Sequence, residues 1–441
     1  MRPASPHRTS RPRACPHIPG RTIPGHSPLH STFDVRYSTL PFRFPRFRFI
    51  ILILLLLPQN VTAQPSWEPA IHRIIHLSLD ENFATAHILA DSLLDAHPDR
   101  PEPLFYKATV LWRQGMNVRD GGKYDPEILS YLGRTIETTE RRIKHDGESA
   151  EMFLWLGNAY GLRTGLRMLR KEVFKGVSDG VEGRQFLDEA IAMDPDLVDA
   201  NFGIGLSDYI LSRNPSILRA VQRLFNLPSG DRRGGLRRLD EAIVNGRYNR
   251  TDALSARAYL DLYYEMDAHG AEARLRELLK RYPNSLDYRI RYVDAMLRLQ
   301  MEHGDNLAQA MLDSTASIHR IAFNRKWQLF RWRISKLNFI QGMAHFLLSD
   351  TTHARPLLQA TANRTRDKKN WLVGPAELAL GKIADLSGDR DAARNHYHRV
   401  ERRDNVWGSH DEARRYQIRP YDGTEPERRP IDDDIRYPGR P

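Results

Sequence analysis

From Trp67 to about Arg403, apolar residues recur at steps of three and four, the period of helices that bury one face. Ile71, Ile74, Ile75 and Leu79 form one such stripe, and Ala86, Leu89, Ala90, Leu93 and Leu94 form the next. Breaks fall at Pro, Gly, Asp and Asn, the residues that stop helices and open turns. Sustained two-residue alternation, the mark of a half-buried strand, does not occur. The pattern predicts seven or eight helical pairs, roughly 67–97, 103–145, 148–194, 197–246, 251–282, 285–320, 325–364 and 371–403. Each pair needs a neighbour to cover its second face, which points to a stacked array rather than one compact core.

Small residues repeat in register with these pairs. Within GKIADLSGDRDAARNHYHRV, Gly381 is followed twelve residues later by Ala393 and four further on by Tyr397, and Gly388-Asp389 supplies a turn. Gly342 and Ala354 repeat the first interval, while Phe153, Leu156, Gly157 and Tyr160 open another unit. Pro98 with Ala108 and Pro195 with Gly205 mark unit boundaries, and Ala86 to Pro98 and Ala271 to Pro283 keep the matching spacing.

In these registers the chain, from about 67 to 403, resembles the tetratricopeptide family. The resemblance implies an all-α fold, a right-handed superhelix (α-solenoid) of helical hairpins whose concave face, lined by the first helix of each pair, receives a protein or peptide. By that resemblance the expected contacts are Asn158, Arg163, Asn201, Asp208, Arg257, Asp261, Arg291 and Asn338. The chain departs from the pattern in two inserts. Ala190 stands 30 residues after Tyr160, where the family spacing is about 16, and ILSRNPSILRAVQRLFNLPSGD separates the helices around Gly205 and Leu239. Tyr259 and Val293 also stand where small residues are expected.

The ends differ from the array. Residues 1–48 are crowded with Pro, Arg, His and Ser, and the apolar run Phe49 to Leu57 follows Arg43, Arg46 and Arg48. With Val61-Thr62-Ala63 after it, this reads as a signal peptide cleaved before Gln64, since the run is too short for the roughly 20 residues of a spanning helix. The distance of the run from Met1 places the expected start of synthesis near residue 35 or 40. The domains expected are therefore a leader over 1–63, a helical-repeat domain over 64–404 and a disordered polar tail over 405–441. Export to the periplasm or cell envelope of a bacterium follows from the leader.

Charge changes meaning once the leader is set aside. The whole chain is +11, but residues 1–63 hold nine Arg, no Lys and the single acid Asp34, so the remainder is only +3. A nucleic-acid binder keeps its charge in the folded part, so no nucleic-acid partner is expected. The single cysteine, Cys15, also lies in the leader, so the exported chain has no disulfide and no thiolate metal site.

Candidate chemistry is sparse. His72 and His76 stand four apart on one helix, a spacing suited to a metal, but no third ligand lies nearby and a structural role is expected. His396 and His398 point to opposite sides of a helix. Asp432, Asp433 and Asp434 lack the ordered ligands of a calcium loop. Gly203 and Gly205 follow no strand and read as helix-packing glycines. Nucleophile elbows and zinc-protease helices are missing, so no enzyme, metal or cofactor is expected.

Basic residues mixed with apolar ones occur at both inserts, over 162–175 and 213–225, a pattern of amphipathic helices that either pack on the solenoid with their charges in water or rest on an anionic membrane surface or a partner. That gives an alternative to the peptide-binding scaffold, a structural component of the cell envelope. The cluster Arg325, Lys326, Trp327, Phe330, Arg331, Trp332, Arg333 and Lys336 has the spacing of a buried helix face.

Overall fold

A computed structural model describes residues 67–118, 121–213, 230–324, 331–363 and 370–424. Among them the helices are α1 (Trp67–Leu79), α2 (Phe83–Ala96), α3 (Pro101–Val118), α4 (Asp125–Asp146), α5 (Ala150–Leu169), α6 (Val173–Met193), α7 (Ala200–Arg213) and α8 (Arg232–Asn245). Then come α9 (Arg250–Leu260), which runs into a π turn (Asp261–Glu265), α10 (Ala268–Arg281), α11 (Leu286–His303), α12 (Ala308–Asn324) and α13 (Arg331–Leu347). The series ends with α14 (Thr351–Ala362), α15 (Val373–Leu386), α16 (Arg390–Val400) and α17 (Ser409–Ile418). Strands are absent among the described residues. The chain is an all-α helical-repeat solenoid.

The helices pair in order, α1 with α2 through α15 with α16, and each second helix also packs on the first helix of the next pair. Most neighbouring first helices touch one another, whereas the second helices of neighbouring pairs make at most marginal contact. The array therefore curves with its first helices on the inside.

One turn is built repeatedly. Glu81, Lys171, Met266, Ser349 and Gly388 each take the left-handed conformation at the end of a first helix. The next residue donates its backbone N–H back to that helix, as Asn82 does to Leu77, Asp350 to His345 and Asp389 to Ala384. Glu172 makes no side-chain cap, but the side chains of Asn82, Asp350 and Asp389 cap the second helix, accepting from the N–H of Thr85, His353 and Ala392 respectively. Asp267 does the same for Gly270, with the π turn adding one residue to the backward bond, which ends on Asp261.

Small residues set the closest approaches within the pairs. A Cβ on Gly205 would stand 2.8 Å from the Gly235 carbonyl oxygen, so α7 and α8 touch backbone to backbone. At Gly381 the space is filled by the Tyr397 ring, with Ala393 buried beside it. Gly203 faces Leu187, so both glycines of that pair serve helix packing, as their sequence context predicted.

Two expectations need correction. Residues 162–175 do not form a separate helix; α5 and α6 are lengthened to 20 and 21 residues and meet at Arg170–Glu172. Nor is the chain after 405 without structure, because α17 covers the end of the array. Val406, Ala413, Tyr416 and Tyr421 are buried, Lys382 pairs with Glu412 at 2.7 Å, and Arg390 donates to the carbonyls of Tyr416 and Gln417. The Pro-rich, charged composition belongs chiefly to residues 425–441, outside the described set. The second insert, 214–229, and Asp432, Asp433 and Asp434 also lie outside it.

The first pair does more than begin the stack. Glu68 pairs with Arg247, and His72 stacks on Tyr248 with ring centroids 5.7 Å apart. Asp80 receives the backbone and side-chain N–H groups of Asn284 at 2.9 and 2.8 Å, and Glu81 receives the Ser285 hydroxyl at 3.0 Å. From α3, Arg113 reaches both oxygens of Asp252 at 2.7 and 2.8 Å. The start of the array thus docks on the links that precede α9 and α11. One continuous core runs from Ile71 to Ala295, with Trp155 buried against Phe105, Tyr106 and Tyr248.

Candidate functional site

The first helices carry polar residues among their apolar ones, and the structure engages these residues internally. Arg163 on α5 clasps Asp179 on α6 at 2.7 and 2.9 Å and lies 4.6 Å above the Tyr160 ring. On α7, Asn201 donates to Glu241 at 3.1 Å and accepts from Arg238 at 2.7 Å, while Asp208 accepts from Arg184 at 2.6 Å. Arg257 on α9 pairs with Asp261 and, at 3.2 Å, with Asp240; Asp261 also meets Arg274 at 2.8 Å. Arg291 pairs with Asp287 at 2.5 Å and sits 5.5 Å over Tyr259. Asn158 and Asn338 are half-buried on α5 and α13.

None of the eight expected contact residues is fully exposed. Asn201 and Asp208 are brought together through Arg238, and Arg257 and Asp261 pair directly. The others occupy separate places along the array. The physical reason is desolvation: a charge drawn from water by close helix packing requires a counter-charge, and neighbouring helices supply it.

Sequence reasoning missed two networks. Along α11, Asp287, Arg291, Asp294, Arg298 and Glu302 recur every three or four residues, a stripe that reads as a solvated face. Asp294 and Arg298 are instead buried, with Asp294 accepting from Lys336 at 2.5 Å and from the Tyr263 hydroxyl at 2.7 Å. Burial works against the Asp294 charge, but Lys336 and Arg298 outweigh it and hold the carboxyl below its ordinary range. The second network centres on half-buried Glu265, which meets Arg213, Arg232 and the Tyr209 hydroxyl. Burial and the bond to Glu265 push the Tyr209 hydroxyl up to about 12.

Lys336, from the basic aromatic cluster, is thus a partner for Asp294; residues 325–330 lie outside the described set. His72 and His76 turn to different rings, those of Tyr248 and Tyr282, and do not converge. His396 pairs with Glu377 at 2.6 Å.

No family model matches the chain. Searching the curated proteins likewise gives no match. Similar solved structures include TTC0263, a thermophilic TPR protein in Thermus thermophilus, at 18% identity and TM-score 0.32, over 53% of this chain and 100% of that one. Another is the human IFIT1 dimer with PPP-AAAA, at 14% identity and TM-score 0.31, over 73% of this chain and 69% of that one.

The tip of the α5–α6 hairpin differs in character from the inner side. Phe174 is 76% exposed and Leu169 46%, with Met168 beside them in sequence and Lys171 and Lys175 exposed around them. Arg170 ties the tip to Asp125 on α4 at 2.5 and 3.0 Å, and Arg167 donates to the Lys175 carbonyl at 3.3 Å. The turn is therefore held in place while its apolar and cationic side chains face water. No described helix is long and apolar enough to cross a membrane.

Proposed function

We propose that the chain is an exported scaffold or adaptor that holds a protein or peptide partner along the face of its first helices. The observation that carries this reading is the series of charge pairs linking successive helices, from Arg163–Asp179 through Arg184–Asp208 to Arg257–Asp240. The accessible members lie on the adjoining second helix α8, with Arg238 (37% of the side chain exposed) facing Asp208 on α7 and Asp240 (49%) facing Arg257 on α9. A partner's carboxylate or cation can exchange for one member of such a pair without leaving a buried charge alone. Deeply buried Asp261 and Asp208 keep the accessible groups in place.

The test is photo-cross-linking. In the full chain, a photoreactive residue at Asn158 or Asn338, half-buried on the first helices α5 and α13, should capture a discrete partner identifiable by mass spectrometry, while one at Ile418, exposed on α17, should not. Equal labelling at all three positions removes the inner-face reading. Sequencing the amino terminus of the cell-made chain tests export, with Gln64 expected first and any terminus upstream of residue 49 arguing against it.

The exposed Phe174 and Leu169 among lysines favour a second reading, an envelope component that rests on an anionic membrane through the α5–α6 tip. The full chain should then co-sediment with vesicles containing anionic lipid, less so at high salt and less so for Phe174→Ser. Unchanged sedimentation of that variant rejects the tip as the contact.

A further inference from the structure

The repeated turn acquires different chemistry at one place. Between α13 and α14, Ser349 is left-handed and Asp350 caps α14 through its Oδ1, 3.2 Å from the His353 N–H. Oδ2 of the same carboxylate receives two imidazoles, Nδ1 of His345 at 3.0 Å and Nδ1 of His353 at 2.8 Å. The rings stack at 27° with centroids 5.2 Å apart. The three facing ligand atoms all lie within 4.8 Å of one another.

These positions are set by the turn itself: one imidazole stands five residues before the capping residue and one three residues after it. At three other turns capped by Asn or Asp, the same two places hold Leu77 and Thr85, Leu262 and Gly270, and Ala384 and Ala392. The turn requires no histidine, and here both places have one. Backbone bonds fix the ligands relative to each other, because the Asp350 N–H donates to the His345 carbonyl at 2.9 Å.

We propose that His345, Asp350 and His353 form a binding site for a divalent transition ion of the zinc class. Two imidazole nitrogens and one carboxylate oxygen are a donor set suited to such ions. An ion about 2.0–2.2 Å from each donor sets them roughly 3.3–3.6 Å apart, so the two nitrogen–oxygen spacings need to open by only about half an ångström. Each imidazole moves its proton from Nδ1 to Nε2 and coordinates through the freed lone pair. The Asp350 carboxyl is held below its ordinary range, chiefly by the His353 N–H. The Oδ1 bond to that N–H orients the carboxylate as a ligand. His353 is 71% exposed, leaving the outer side of the ion open to water or to a donor from another molecule.

Zinc titration of the full, chelator-treated chain by calorimetry tests this, with His353→Ala and Asp350→Asn alongside. Asn keeps the helix cap but weakens the oxygen donor, and His353 is exposed, so both variants should fold, which circular dichroism checks. The expected result is one zinc equivalent in the wild type that each variant loses or binds at least tenfold more weakly, with the double variant His72→Ala, His76→Ala unchanged. Cobalt substituted at the site should give a visible ligand-field spectrum that the same two variants abolish. Wild-type binding in both variants, or no zinc bound by the wild type, overturns the proposal.

Discussion

At Gly205 and Gly161 the same substitution should act in opposite directions. A methyl on Gly205 meets the Gly235 carbonyl, a backbone atom that moves only if α7 and α8 separate, and Gly205→Ala should cost about 1–3 kcal/mol in urea unfolding. Around Gly161, in the middle of α5, nothing lies within 4 Å of the added atom. Gly161→Ala should stabilise by about 0.5–1 kcal/mol through helix propensity alone. Glu302 gives a pH-dependent case. Burial pushes its carboxyl up, and Arg298 and the Trp407 indole N–H offset this only partly. A folded value above the unfolded one of about 4.3 means that this group's contribution to stability falls as pH rises from about 4.3 through the folded value. Glu302→Gln should match the wild type near pH 4 and exceed it at pH 7 in denaturant titrations. A variant weaker at pH 7 would mean that attraction to Arg298 outweighs desolvation.

Among the elements, the helices are legible in the sequence because apolar periodicity is a property of each segment alone. Gly381, Ala393 and Tyr397 stand in the structure as their spacing predicted, a small residue facing an aromatic. The repeated turn is legible only at Gly388-Asp389; at Glu81-Asn82 and Ser349-Asp350 the left-handed residue is not glycine, so composition carries no signal. For the same reason the His345, Asp350 and His353 cluster escapes a linear reading, since its members meet only when the turn folds. Contact residues can be named from sequence only by position on a helix, and sequence cannot state that an arginine such as Arg257 already faces a buried aspartate. The composition of the tail as a whole conceals Ala413, Tyr416 and Tyr421. Ending the chain after Arg403 removes these residues and the Glu412 partner of Lys382, so amide exchange in α15 and α16 should accelerate while α1 to α10 stay protected.

On the scale of the array, the docking of the first pair departs from a stack in which each unit meets only its neighbours. Arg113 is nearly buried against Asp252, and removing one partner of such a pair costs about 3–5 kcal/mol. Arg113→Ala should therefore loosen α1 to α3 together with α9, seen as joint loss of exchange protection and new proteolytic cuts near residue 82. Cuts confined to α3 would show that the pairs unfold independently. Docking also orders events in time. Glu81 waits for Ser285, a partner more than 200 residues downstream, so the first described hairpin is fully seated only after the fifth has been made. Until then its Ile71 and Ile74 stripe has no complete cover, and the nascent chain is open to chaperones and proteases for as long as the four following hairpins take to emerge.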